Sequence, residues 1–233
     1  MSQLLLIRHG QASFGTDHYD RLSPIGDRQA RLVGRQFAAA GLTFDAWIAG
    51  GLQRQQRTAE LAANALDHTP ALTVDAGFNE YDGDALFRAF LPAVLDENPT
   101  IAADRDRIRH DPRVFQKALE QVMRHWLAAT TAAHDDHESW ADFKSRVAAA
   151  LARLRDDYPR DSRFAVFASG GPIAVALGAA LGAPDDKIIE LNWSIYNAAI
   201  ADLRSTRTGW RMLGFNDICA QREAGDPLLV TFR

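Results

Sequence analysis

Arg8, His9 and Gly10 stand directly after Gln3–Ile7, a short aliphatic run bounded by polar residues. Such a run reads as a buried strand of a parallel sheet, and its carboxyl end is where open α/β sheets bind ligands. An imidazole placed there can act as a nucleophile, and a guanidinium beside it can neutralise an anion. A second unusual turn, Ser169, Gly170 and Gly171, leads from the run Arg163–Ala168 into an Ala-rich stretch. Helix amides at the start of that stretch would receive an anion. Between the two turns, Arg54 and Arg57 lie near the start of another helical stretch, where a guanidinium fork can grip oxygens in two places. All three features predict phosphate. Each has a bland reading when taken alone: a satisfied core histidine, solvated helix arginines and a common glycine turn. Placement after strands tells against it for His9.

The elements that must position these residues alternate. Ser23 and Pro24 start a helix with Val33 and Phe37 on one face, and Gly41 stops it. Phe44–Ala49 reads as a strand, Leu52–Leu66 as a helix and Leu72–Val74 as a brief extended segment. From about Asp84 to Tyr158 the text turns helical, with Asp111 and Pro112 as one start and Pro159 as a stop. The sheet resumes at Arg163–Ala168, and the helix after it ends near Gly182. Ile195–Leu203 and Trp210–Phe215 read as two further strands joined around Thr206–Gly209. The expected fold is α/β, a mostly parallel central sheet flanked by helices, in one domain over 1–233 with an inserted helical cap at about 84–140.

The string LLLIRHGQASFG closely resembles the opening signature of the histidine phosphatase superfamily, the phosphoglycerate-mutase-like proteins with an RHG motif. LSPIGDRQA resembles that family's next helix, GGLQRQQRTAE its second arginine signature, and FNEYDG the segment that carries its acid. The resemblance implies that His9 is the nucleophile, that Arg8 and Arg54 bind the phosphoryl oxygens, and that Glu80 protonates the departing oxygen. Asp82 is the rival acid. Neutral imidazole can attack phosphorus, and two arginines would meet charge as it spreads over the equatorial oxygens. The acid must hold its proton near neutrality, which burial would favour. The implied reaction is hydrolysis of a small phosphate ester through a phosphohistidine, with the cap setting substrate choice.

One position departs from the family pattern. Most members carry a second histidine before the glycine pair, where this chain has Ser169, and no histidine follows His137. A hydroxyl can still donate to a phosphoryl oxygen, but it brings no charge, so activity is expected to be lower. Two alternatives stay open: a phosphoglycerate-mutase-type phosphoryl transferase, and a phosphate-ligand-binding protein with impaired catalysis. Gly170, Gln11 and Ser13 are further phosphate or substrate candidates, and Asn197 is a weaker one.

The formal net charge of -4 excludes a general nucleic-acid binder, which needs surplus cations. Cys219 stands alone, no secretory leader is recognisable, and no apolar stretch approaches the roughly 20 residues that span a bilayer. A cytoplasmic location is expected, without membrane contact. In the cap, Arg105, Arg107, Arg109 and Arg113 alternate with Asp104, Asp106 and Asp111, as on a solvated face. His110, His125, His134 and His137, with Asp135 and Asp136, fit no zinc spacing, and the implied chemistry needs neither metal nor cofactor. The expected partner is a small-molecule phosphate ester; no pattern in the sequence bears on oligomeric state.

Overall fold

The computed structural model describes residues 1–13, 20–129 and 137–232. Six strands form one sheet in the order β3-β2-β4-β1-β5-β6. β1 (Gln3–Arg8) lies between β4 (Arg163–Ala168), parallel to it with Leu6 opposite Val166, and β5 (Ile200–Ser205), antiparallel with Leu6 opposite Ala201. β2 (Ala46–Ala49) and β3 (Leu72–Val74) extend the parallel part, and β6 (Trp210–Asp217) closes the other edge. Leu4–Ile7 and Phe164–Ala168 are wholly buried because helices cover both faces of the sheet at its centre, which explains why both strands are unbroken apolar runs.

Contacts divide the chain into two compact units, Met1–Glu80 with Val147–Arg233, and Tyr81–Arg146. In the first, α1 (Pro24–Ala39) begins where Ser23 caps it by accepting from the Gly26 amide at 3.0 Å, and it places Val33 and Phe37 in the core. Phe37, Phe44, Trp47 and Phe167 pack ring against ring, with Trp47 and Phe167 centroids 4.8 Å apart. α2 (Gln53–Ala63) follows β2, and α7 (Gly170–Leu181) follows β4 and ends at Gly182, whose φ of 64° suits a residue without a Cβ.

In the second unit, α3 (Gly83–Glu97) is capped by Asp82 through the Ala85 amide, and α4 (Pro99–Ala103) leads to α5 (Pro112–Ala128), capped by Asp111. Tyr81, Trp126, Trp140 and Phe143 form its aromatic core, and Phe87 stacks on Phe115 at 5.2 Å. α6 (Trp140–Asp156) starts here and passes the boundary residue Arg146, which makes a two-pronged ion pair with Glu138 at 2.9 and 2.7 Å. Among the described residues no helix is long and apolar enough to cross a membrane.

One reading of the C-terminal third is corrected: the strand expected from Ile195 begins at Ile200, and it follows a helix, α8 (Asp185–Ser194), that no pattern in the sequence announces. Ile195–Ala199 cannot pair as a strand because their polar groups are spent elsewhere. Tyr196 N bonds Asn216 Oδ1 at 2.9 Å, Asn197 N bonds the Thr231 carbonyl at 2.8 Å, and Ala198 takes a φ of 53°. That segment is tied to His9, whose carbonyl accepts from the Ala198 amide.

The start of α1 is pressed against the turn after β1. The Ser23 amide donates to the Gln11 carbonyl at 2.8 Å, and a Cβ on Gly26 would lie 2.1 Å from that same oxygen. Gly10 and Gly26 thus let two backbones touch where any side chain would part them. Gly26→Ala should cost about 1 to 3 kcal/mol, as overpacking does, and lower the melting temperature by several degrees. An unchanged thermal midpoint would show that the two backbones can separate freely.

Candidate active site

His9 is buried at the end of β1, and its main chain is fixed on both sides. Its N–H donates to the Ala168 carbonyl at 2.9 Å, and its carbonyl accepts from the Ala198 amide at 3.2 Å and from Asn197 Nδ2 at 3.4 Å. The ring's Nδ1 is 2.7 Å from the Gly10 carbonyl, which can only accept, so Nδ1 carries the proton. Nε2 therefore holds the lone pair. It accepts from Arg54 Nε at 3.1 Å. Burial, then the charges of Arg54 and Arg8, push the imidazole pKa well below its usual 6.5, against a smaller pull upward from the Gly10 carbonyl. His9 is a neutral base with its lone pair turned toward a guanidinium.

Arg54 sits in the first turn of α2 and is itself buried. A second nitrogen of its fork, Nη1, bonds Asp20 Oδ1 at 2.8 Å, while Asp20 Oδ2 accepts from the Gln53 amide at 2.9 Å. Thr58, one turn along α2, accepts from the Gly10 amide at 3.1 Å and donates to the Arg54 carbonyl at 2.7 Å. Gln55, fully buried, reaches three ways: its Oε1 accepts from the Leu52 amide at 3.2 Å, and its Nε2 donates to the Phe78 carbonyl at 3.0 Å and to Ser169 Oγ at 2.9 Å. The start of α2 thus fastens the turn after β1 to the turn after β4.

Ser169 is fully buried and caps no amide of α7, so its hydroxyl is an acceptor from Gln55 that retains a proton to give. Glu80 places Oε2 3.1 Å from the Gly171 amide. The acid candidate and the anion-receiving helix start, read separately from the sequence, therefore meet each other. Arg8 directs Nη1 to the Ile195 carbonyl, on the segment that also carries Asn197.

The remaining candidates divide. Gln11 accepts from Ser23 Oγ at 2.8 Å and its amide donates to Gln29 Oε1 at 2.8 Å, while Ser13 Oγ donates to the Leu22 carbonyl at 3.2 Å; both knit the loop after Gly10. Gly170 has Asn192 so close that a Cβ would lie 2.2 Å from its Oδ1. Asp82 serves as the cap of α3. Arg57 does not join Arg54: it is half-exposed and pairs with Glu60 at 3.2 Å. With Arg21, Leu22, Gln53 and Gln56 it lines an open cleft of about 440 Å³ whose wall does not include His9. In the second unit, Arg107 is exposed and pairs with Asp104 and Asp111. His125 pairs with Glu97 at 3.2 Å, and His134, Asp135 and Asp136 lie outside the described residues. Among the described residues no three His, Cys, Asp or Glu are grouped to hold a metal ion.

Asp20, Gln55 and Thr58 were not singled out from the sequence. Gln55 had a signal, since Gln at the third helical position reaches back to the cap residue, but Leu52 supplies only half of that motif. Asp20 and Thr58 act across 34 and 48 residues of chain, and no local pattern carries that information.

The profile of the histidine phosphatase superfamily, branch 1, matches residues 4–218. The chain belongs to that superfamily. Over 86 residues it is 34% identical to a 2,3-bisphosphoglycerate-dependent phosphoglycerate mutase of Methylobacterium sp. (strain 4-46), covering 34% of this chain and 41% of that one. Over 70 residues it is 36% identical to the mitochondrial serine/threonine-protein phosphatase Pgam5 of Drosophila grimshawi, covering 29% of this chain and 24% of that one. The matches thus span well under half of the curated relatives' length. Among solved structures, a phosphoserine phosphatase of Entamoeba histolytica in complex with phosphoserine superposes with a TM-score of 0.65 at 18% identity, covering 94% of this chain and 99% of that one. A putative alpha-ribazole-5'-P phosphatase of Escherichia coli gives 0.64 at 18%, covering 93% and 96%. At that identity the structures show the shared fold. In this superfamily chain, the histidine of the RHG turn is His9.

The depressed pKa of His9 has a stability consequence. The unfolded ring binds a proton near pH 6.5 and the folded ring only at lower pH, so between those values the unfolded state holds more protons. Stability is full above 6.5 and is lost as the pH falls toward the folded pKa. Thermal unfolding of wild type should weaken more between about pH 7.5 and about pH 5 than that of His9→Gln, which cannot titrate. Parallel curves would mean that the folded imidazole protonates as freely as the unfolded one.

Proposed function

We propose that the chain is a phosphatase that hydrolyses small phosphate esters through a phosphohistidine on His9. The observation that carries this is the neutral imidazole whose Nε2 lone pair faces a guanidinium across 3.1 Å while Nδ1–H is held by a carbonyl. A base meant to pick up protons would be ruined by two neighbouring cations. A nucleophile that attacks a phosphoryl group is helped by them, because they hold the imidazole unprotonated and attract the anion.

In the first step Nε2 forms a bond to phosphorus as the bond from phosphorus to the ester oxygen breaks. The Arg54 Nε–H leaves the nitrogen it occupied and turns to a phosphoryl oxygen, joined by Arg8. Glu80 delivers a proton to the departing oxygen. The Gly171 amide on Oε2 then stabilises the carboxylate this creates. Water next attacks phosphorus, the N–P bond breaks, and Glu80 takes the water's proton. Throughout, Nδ1–H donates to the Gly10 carbonyl, which offsets the positive charge of the phosphorylated ring. Ser169, its oxygen fixed by Gln55, gives its proton to the phosphoryl group from the position where most family members have a histidine. The unit Tyr81–Arg146 is read as an insertion in a single domain of this family.

His9→Ala should abolish the acid-labile phosphoenzyme trapped by rapid quench with labelled substrate. Label that persists in this variant would remove His9 as nucleophile, and transfer of the label to a second substrate hydroxyl instead of water would indicate a mutase.

Ser169→Ala should slow steady-state turnover about ten- to hundredfold, the equivalent of one hydrogen bond to a charged group, and His9→Ala should cost far more. A Ser169→Ala enzyme as fast as wild type would make the serine structural only. Equal residual rates in wild type and His9→Ala would support a binding protein.

A further inference from the structure

Asp20 belongs to none of the motifs that mark the family and takes no part in the steps above, yet it holds Arg54. Its two oxygens bind two different parts of α2: Oδ1 meets Arg54 Nη1 at 2.8 Å, and Oδ2 meets the Gln53 amide at 2.9 Å. Leu52, the cap residue of α2, has no side-chain acceptor, so a carboxylate 33 residues upstream serves the first amide in its place. Asp20 is therefore anchored to the helix that carries the arginine it grips.

The geometry of the guanidinium decides what this grip does. Its nitrogens lie in one plane with fixed directions. Arg54 presents Nε to His9 and Nη1 to Asp20, so two partners meet two different nitrogens and fix the plane in rotation. Contacts on two different nitrogens restrain the fork more than either does alone. Because Asp20 binds a nitrogen other than the one facing Nε2, it leaves undisturbed the contact that phosphate must exchange for its own. Its charge also balances a cation whose side chain is only 9% exposed.

We propose that Asp20 is a positioning residue for the phosphoryl-binding arginine: it locks the Arg54 guanidinium in the orientation that presents Nε to the His9 nucleophile. This rests on the phosphatase reading. Asp20 touches neither substrate nor nucleophile and acts through Arg54. A displacement of a reacting group by about 1 Å can cost a hundredfold in rate, so loss of the lock is felt in turnover more than in folding.

The test is a double-mutant cycle on the full chain, reading kcat and KM for p-nitrophenyl phosphate, orthovanadate affinity by titration calorimetry, and the melting temperature. Asp20→Ala should lower kcat about ten- to hundredfold with a smaller change in KM, and weaken orthovanadate binding. Asp20→Asn, which keeps an oxygen for Nη1, should recover part of both. In an Arg54→Ala background the further change Asp20→Ala should alter neither quantity beyond about twofold, since the residue through which Asp20 acts is gone. Arg54→Lys gives the same comparison if Arg54→Ala folds poorly. A lower melting temperature with wild-type kcat and orthovanadate affinity would overturn the proposal and leave Asp20 as a helix cap. Losses that multiply with those of Arg54→Ala would overturn it too. Should wild type turn over no ester yet bind orthovanadate, the phosphatase reading fails while the affinity cycle still judges Asp20. Neither turnover nor binding would remove the phosphoryl site itself, and Asp20's role with it.

Discussion

An imidazole that must keep its lone pair in the presence of two guanidinium groups is the constraint on which the rest of this molecule depends. Water would protonate such a ring freely at mildly acid pH; burial and the charges of Arg54 and Arg8 prevent it. Burial in turn requires that every polar atom nearby be answered by protein. The Gly10 carbonyl takes Nδ1–H, Arg54 answers Nε2, Ala168, Ala198 and Asn197 hold the main chain of His9, and Thr58 takes the Gly10 amide. These partners come from the turn after β1, from α2, from β4 and from the segment before β5, so the sheet order β4-β1-β5 and the entry of α2 serve one ring's surroundings as well as apolar burial.

Helix starts do the remaining work, and they do it unlike one another. The start of α7 gives its Gly171 amide to Glu80, while the start of α2 gives its Gln53 amide to Asp20. A helix N-terminus favours an electron-rich oxygen, and both oxygens here belong to carboxyl groups of the chain itself. Gln55 joins the two starts by spanning from the Leu52 amide to Ser169 Oγ. A neutral amide can make this link because it donates and accepts at once; a carboxylate or an ammonium at position 55 would leave one of the partners unmet in a fully buried place.

Much of this was legible in the sequence where neighbours in the chain are neighbours in space. β1, β3 and β4 follow from short apolar runs, α1 from Ser23 and Pro24, α5 from Asp111 and Pro112, and the end of α7 from Gly182. The α8 segment was not legible, because Asp185–Ser194 mixes charged and aliphatic residues with little helical periodicity and starts after Pro184 without a side-chain cap. The strand reading from Ile195 failed for a different reason. Those residues are apolar enough for β structure, but Asn197 and Ala198 are bent under His9 by hydrogen bonds to Thr231 and to His9 itself. At the site, the residues read from motifs, His9, Arg54, Glu80 and Ser169, are joined by hydrogen bonds through Gln55, Gly171 and α2. Asp20 and Thr58 reach the site only through the fold, and a linear pattern has no term for that.

The serine at position 169 changes the electrostatic balance of the proposed reaction more than its geometry. With an imidazolium at position 169, a phosphoryl dianion would meet three cations; here Arg8 and Arg54 are the two that lower the pKa of His9, and Asp20 is bonded to one of them. A hydroxyl contributes direction without charge. In the proposed reaction the anion would be held by placed donors, fixed through Gln55 and through Asp20, where more cationic pockets rely on attraction that needs less exact placement. Fixing donors in advance lowers the cost of reorganisation when charge develops on the phosphoryl oxygens. In the proposed reaction it would also make the rate sensitive to residues that never touch substrate, because a donor without a charge of its own works only at the right distance and angle.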